Sequence, residues 1–190
     1  MAIQSDVHVS SQEYLALEKQ AAYKSEYIAG TIVAMSGASR KHNLIVTNIV
    51  TSLGQQLRGR PCEVYASDMR VKMPASELYV YPDVVVVCGT PQFEDSDLDT
   101  LLNPTLVIEV LSQSTEFRDR GVKAQGYRLR DSLAEYMLIA QDQCHLEQYI
   151  WQADNQWLSV DFHTLDGTIN LASIHCTVSI QDVYDRVLRA

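Results

Sequence analysis

The sequence predicts an α/β fold of the α+β type, a mixed sheet flanked by helices. Three observations predict it. Val84–Val87 and Leu106–Ile108 are short, β-branched or aliphatic runs bounded by turn residues, the pattern of buried strands. Behind Ser39, a plausible N-cap, Leu44, Ile45, Asn48, Ile49, Leu53 and Leu57 recur at a spacing near 3.6, the stripe of an amphipathic helix. Strand-like and helix-like segments do not alternate regularly, which argues against a Rossmann sheet or a closed barrel.

The elements follow in order. Ser10-Ser11-Gln12-Glu13 has the form of a capping box and predicts a short helix to about Ala22. Lys24–Met35 reads as a hairpin turning at Ala29-Gly30, with Glu26 in its first strand and facing solvent. Gly59–Pro61 ends the helix after Ser39, and His42 lies in that helix's first turn, where a surface or capping role is the ordinary one. Glu63–Ala66 and Met69–Met73 are expected strands around a turn at Ser67-Asp68. Pro74–Tyr79 is expected to be a loop. Gln92–Asn103, carrying Glu94, Asp95, Asp97 and Asp99, is an expected exposed connection with one helical turn.

Thr115–Arg130 is helical by pattern. Gly121 and Gly126 each weaken it by up to about 1 kcal/mol relative to Ala, so a start near Asp119 is expected. Glu135–Ile139 is a strand, and His145–Trp151 pairs with Trp157–Phe162 around Ala153-Asp154-Asn155. Ser179–Asp182 caps a last helix holding Val183, Val187 and Leu188. Without repeats or linkers, one domain over residues 1–190 is expected.

The bulk numbers bound the function. Apolar residues make up 46% of the 190, ordinary for a globular chain. No apolar run approaches the roughly 18 residues of a membrane span, and Met1–Asp6 lacks the character of a signal peptide. Cys62, Cys88, Cys144 and Cys176 are scattered without metal-ligand spacing, so reduced core thiols in a cytoplasmic protein are expected. The net charge of −9 opposes nucleic-acid binding, which draws on phosphate neutralisation. The basic residues are uneven, however. Arg118, Arg120, Lys123, Arg128 and Arg130 crowd one segment, and Arg40-Lys41 with Arg58 and Arg60 make a second set. Each run also has the plain reading of a solvated helix face.

The chemistry concentrates between Tyr81 and Lys123. Asp83 opens one apolar strand, and Glu109 sits inside the next, where an unpaired carboxylate costs several kcal/mol and needs a partner, a metal or a proton. Lys123 follows on a helix and shares a face with Tyr127. Two carboxylates on rigid strands beside a lysine suit a hard divalent metal and an activated water. A structural ion pair is the competing reading. No Gly-rich phosphate loop, Gly-x-Ser-x-Gly elbow or zinc-spaced histidine pair is present.

Pro82-Asp83, Ile108-Glu109-Val110-Leu111-Ser112, Asp119, Lys123 and Glu135-Tyr136-Met137-Leu138-Ile139 resemble the Uma family of putative restriction endonucleases, within the PD-(D/E)XK nuclease superfamily. The likeness extends to Ser25–Val33, Ser39–His42 and Ser67–Val71 and covers roughly Tyr14 to Phe162. It implies a restriction-endonuclease-like core. Asp83 and Glu109 match the two acids of the motif, and the Val110 carbonyl matches a third metal ligand. Position 111, where the superfamily places its lysine, is Leu111; in the family the lysine has moved to the next helix, here Lys123. Glu26 and His42 match a further acid and a histidine near the site.

The resemblance implies Mg²⁺- or Mn²⁺-dependent hydrolysis of nucleic acid, DNA foremost, by a homodimer. Asp83, Glu109 and Val110 would hold the metal. Lys123 would orient or help deprotonate the water and stabilise charge on the phosphate, and Glu26 would complete the metal shell or hold Lys123. Arg118, Arg120 and Arg128 are the candidate phosphate contacts, and His42 would support the site from behind; Tyr127 is placed to do the same, with core packing as its ordinary role. Two other classes stay open: an inactive nuclease fold acting as a binding module, and a metal-dependent hydrolase of a small phosphate ester.

Overall fold

The computed structural model describes residues 8–73, 77–94, 96–129, 132–154 and 156–188. Met1–Asp6, Pro74, Asp95, Arg130 and Asn155 lie outside them, and with them the parts of the expectations that fall there.

Helix α1 (Ser11–Glu18) begins with the expected capping box, Ser10 accepting from the Glu13 N–H and Glu13 from the Ser10 N–H. It stops at Glu18 rather than near Ala22, and the Glu18 carboxylate accepts from the N–H and hydroxyl of Ser25, where β1 starts. Strands β1 (Ser25–Ile28) and β2 (Thr31–Ala34) form the expected hairpin. Its turn places Ala29 and Gly30 at φ of +44° and +93°, which the strand twist of a two-residue hairpin requires. Helix α2 (Arg40–Leu57) carries the expected stripe, with Ile45, Val46, Ile49, Leu53 and Leu57 buried. Ser39 accepts from the His42 N–H as its N-cap.

Strands β3 (Cys62–Ala66), β4 (Arg70–Met73), β5 (Leu78–Val80), β6 (Val84–Cys88), β7 (Thr100–Leu101) and β8 (Leu106–Leu111) follow. A helical segment runs as α3 (Glu116–Arg118), a π-helical turn (Asp119–Lys123) and α4 (Ala124–Arg128), so it starts before Asp119. Then come β9 (Glu135–Ala140), the β10 (Leu146–Trp151) and β11 (Trp157–Phe162) hairpin, β12 (Thr168–Leu171), β13 (Cys176–Ser179) and α5 (Ile180–Val183).

Two multi-stranded sheets and a ribbon result. One sheet has the order β11-β10-β9-β8-β6-β3, the second β2-β1-β5-β4-β7, and β12 pairs with β13. The first sheet is antiparallel except between β8 and β9. A parallel pair needs a long crossover, and the α3–α4 segment supplies it. Side chains alternate across these strands. Val84, Val86, Leu106, Ile108 and Val110 face α2, the β12–β13 ribbon and α5. Val85, Val87, Val107 and Leu111 face the second sheet and α4. Both faces are covered, which is why β6 and β8 read as continuous apolar runs.

Four expectations need correction. Leu78–Val80 is a buried strand rather than loop, paired with β1 and β4. The acidic connection is not wholly exposed: Thr100 and Leu101 are fully buried and extend the second sheet beside β4. The last helix ends at Val183, and Val187 is buried beyond it without being helical. Cys62 and Cys88 are not free thiols: they are directly opposed on β3 and β6 and joined as a disulfide, leaving Cys144 and Cys176 free among the described residues. The β3–β6 register brings them together across 26 residues, and the spacing alone carries no trace of it. The argument for a reducing compartment from these cysteines therefore falls away. Among the described residues no helix is long and apolar enough to cross a membrane.

Leu53, fully buried where α2 meets the first sheet, tests this layering. Leu53→Ala is expected to cost about 2–5 kcal/mol, read as a lower urea midpoint with an unchanged denaturant slope.

Candidate active site

The parallel crossover places the chemistry. Asp83 directly precedes β6, and the pairing of Val84 with Ile108 sets Asp83 beside Glu109. The alternation that turns Val107 and Leu111 toward the second sheet turns Glu109 the same way. The crossover segment returns over that face. Its π-helical turn, with Gly121 at φ −96° and ψ −107°, interrupts the regular helix between Asp119 and Lys123. The hydroxyl of buried Tyr136 donates to the Asp119 carbonyl at 3.0 Å and fixes this turn.

The Lys123 ammonium is 3% exposed and stands among three carboxylates. Glu26 Oε1 lies at 2.7 Å, Asp119 Oδ1 at 3.1 Å and Glu109 Oε1 at 3.3 Å. The Tyr127 hydroxyl donates to Glu109 at 2.9 Å, from the helix face it shares with Lys123. The Tyr81 N–H donates to Glu26 at 3.3 Å. Glu26 is thus a buried ion-pair partner and not a solvent-facing strand residue; it shares a face of β1 with Ile28, which packs toward the first sheet and the crossover segment. Asp83 accepts from the Val110 N–H at 2.7 Å and lies 3.1 Å from His42 Nε2.

These groups line a cleft of about 960 Å³, bordered by Ser112, Ser114 and Thr115 of the hydroxyl-rich loop and by Arg40, Lys41 and Arg118. Ser112 exchanges hydroxyl contacts with Ser114 at 3.1 Å and Thr115 at 3.0 Å. Gln141 donates to the Leu111 carbonyl at 2.9 Å and accepts from Ser39, tying the strand end to the start of α2. Leu111 itself packs in the apolar layer, and it is Lys123 that reaches Glu109.

The structure brings Asp83, Glu109, Lys123, Glu26, Val110, His42 and Arg118 to this cleft, with Tyr127 behind Glu109. It does not bring Arg120 or Arg128. Arg120 is held by Glu116 and by Glu147, at 2.8 Å and 2.6 Å. Arg128 lies over the Tyr149 ring. Asp119 is the buried carboxylate that sequence reasoning left out of the site. Its position four residues before Lys123 was the available signal, since such pairs share a helix face.

The electrostatics are unbalanced. Glu26, Asp83, Glu109 and Asp119 face the Lys123 ammonium and the His42 imidazole. Burial pushes the Glu109 carboxyl well above its usual range; Lys123 opposes this, while Asp119, Asp83 and Glu26 reinforce it. Burial works against the charge on Lys123, but Glu109, Glu26 and Asp119 outweigh it and hold the amine protonated. Burial, then the Glu109 charge, pushes the Tyr127 hydroxyl well above its usual value and keeps it a donor. His42 Nδ1, Arg118 Nε and Asp119 Oδ1 are buried without a directed hydrogen bond. Excess negative charge on hard oxygen donors beside a cleft fits a divalent cation. Asp83, Glu109 and the Val110 carbonyl could hold it.

Lys123→Met is expected to cost about 3–5 kcal/mol in chelator near neutral pH, because it leaves buried carboxylates unpaired. Glu109 binds its proton more tightly in the fold than in the unfolded chain. Its contribution is therefore complete below the ordinary glutamate range and is lost as pH rises through the elevated folded value. Glu109→Gln should flatten the fall of melting temperature with rising pH in EDTA; a parallel curve for the two proteins would contradict the assignment.

The uncharacterized protein sll1609 of Synechocystis sp. is 39% identical over 158 residues, covering 83% of this chain and 89% of its own length. The uncharacterized protein slr1290 of the same organism is 32% identical over 176 residues, covering 93% and 91%. The crystal structure of a "putative nuclease belonging to DUF820" from Anabaena variabilis matches with a TM-score of 0.72 at 18% identity, over 95% of this chain and 99% of that one, and so shares its fold. The family model described as "Putative restriction endonuclease" matches residues 11–181, and the chain belongs to that family, Uma2.

Proposed function

We propose that this chain is a divalent-metal-dependent endonuclease acting on DNA. The observation that carries the reading is the position of Lys123. Position 111 is apolar, yet an ammonium reaches Glu109 from the crossover segment, beside Asp83 and in an open cleft. Asp83, Glu109 and the Val110 carbonyl would hold Mg²⁺ or Mn²⁺. Such an ion supplies a Lewis acid for a phosphoryl oxygen and lowers the pKa of a bound water. The protein groups divide the remaining work. Lys123 donates toward the attacking water and toward charge building on the phosphate. Glu26, at 2.7 Å, fixes the ammonium, which favours a positioning role over a place in the metal shell. His42 orients Asp83 through Nε2. Arg118, with its Nε unsatisfied at the cleft, is the arginine of its segment best placed for a phosphate.

A second reading has its own observation. Lys123 is enclosed by three carboxylates, as in a purely structural ion cluster, and this suits an inactive fold that only binds. Cleavage of supercoiled, linear and single-stranded DNA in Mg²⁺ or Mn²⁺ separates the two. The parent is expected to cut, and Glu109→Ala and Lys123→Ala to lose at least about 100-fold in rate; equal cutting by all three would point to a contaminant. Mg²⁺ should raise the melting temperature of the parent but not of Asp83→Ala. A metal-induced rise without cleavage on any substrate would favour the binding module. Arg118→Glu should weaken DNA binding and reduce the slope of log affinity against log salt by about 1.

A further inference from the structure

A second group of ligand-type side chains meets on the β10–β11 hairpin, outside the residues that line the cleft. The register pairs Leu146 with Phe162 and Glu147 with Asp161. Continuing it by one residue sets His145, just before β10, opposite His163, just after β11. Alternate residues share a face of a ribbon, so two histidines and two carboxylates form a small grid at its end. His145 Nε2 lies 3.3 Å from Asp161 Oδ1 and 3.7 Å from Glu147 Oε1. The two imidazoles stack with centroids 4.6 Å apart and planes 13° from parallel, so one ring must turn out of the stack for both lone pairs to meet one ion. One ligand atom from each of His145, Asp161 and His163 lies within 4.8 Å of the others. Glu147 is committed elsewhere, to the Arg120 guanidinium at 2.6 Å and the Tyr149 hydroxyl at 2.8 Å.

We propose that His145, Asp161 and His163 form a second metal site that takes a borderline transition ion, Zn²⁺ foremost. Imidazole ligands suit Zn²⁺, Ni²⁺ and Cu²⁺, whereas Mg²⁺ and Mn²⁺ favour oxygen donors. Three protein ligands leave one tetrahedral position for water or an outside group. The ligands come from both strands of the hairpin, and β11 is the outermost strand of the six-stranded sheet. A bound ion would clamp that edge strand to β10. Glu147, held by Arg120, supplies negative charge beside the ion without ligating it. The site is independent of the nuclease reading, since none of its ligands lines the cleft.

The test is a calorimetric titration of the metal-free, full-length protein with ZnCl₂, alongside His163→Ala, Asp161→Asn and Glu109→Ala. His163 and Asp161 are exposed, so both substitutions should keep the parent's melting temperature in EDTA. One equivalent of Zn²⁺ is expected to bind the parent and Glu109→Ala alike, with affinity at least tenfold lower in His163→Ala and Asp161→Asn. Excess Zn²⁺ at about 100 times its Kd should raise the melting temperature of the parent by roughly 5 °C and that of His163→Ala by no more than about half as much. No Zn²⁺ binding by the parent, or equal binding by His163→Ala, would overturn the proposal. Binding lost only in Glu109→Ala would place the ion in the cleft and overturn it too. Mg²⁺-dependent DNA cleavage by His163→Ala should match the parent in every case.

Discussion

The buried contact between Lys123 and the carboxylates of Glu26, Glu109 and Asp119 is the interaction on which the site depends. An ammonium taken out of water survives only with close opposite charge, and here three oxygens stand within 3.3 Å. The contact joins three separate parts of the fold. Glu26 comes from the second sheet, Glu109 from the centre of the first, and Lys123 and Asp119 from the segment that crosses between β8 and β9. Placing the ammonium therefore places the crossover segment against both sheets.

The cluster is also over-supplied with negative charge, and this separates it from an ordinary internal ion pair. Glu135 is a useful contrast. It too is a fully buried glutamate on a strand of the first sheet. Its carboxylate accepts from Gln148 at 3.0 Å and from the Ser173 N–H at 2.8 Å, so neutral donors satisfy it away from the cleft. Glu109 shares its lysine with two other acids and has Asp83 beside it. The excess raises the affinity of Glu109 for a proton, and a divalent cation would relieve it. On the proposed reading, stability and function pull in opposite directions at this residue.

The acidic character of the chain does not prevent a basic approach to this cluster. Of the basic side chains crowded after β8, Arg120 and Arg128 are absorbed by Glu147 and Tyr149 on the first sheet. Arg118 stays at the cleft, joined by Arg40 from the start of α2 and by the hydroxyls of Ser112, Ser114 and Thr115, while Lys41 beside them is paired with Asp142 at 2.9 Å. The local arrangement, more than the net charge of −9, governs how a phosphate would meet the site.

The sequence by itself determined the elements whose signals are local. Capping chemistry set the starts of α1, α2 and α5, period placed the stripe of α2, and β-branched runs placed β6 and β8. It also determined the chemistry available at the site, because a glutamate inside an apolar strand demands a partner wherever the strand goes. Only the tertiary structure decided who the partners are. Glu26 became buried because its face of β1 stacks against the first sheet and the crossover segment, a layering that no local pattern records. Cys62 met Cys88 because β3 and β6 run in register. Lys123 reached Glu109 because a parallel pair requires a crossover, and the π-helical turn at Asp119–Lys123 aims two charged side chains into it. Local sequence encodes dihedral preference and burial, whereas the distance between charges depends on how sheets stack, which no short window of sequence contains.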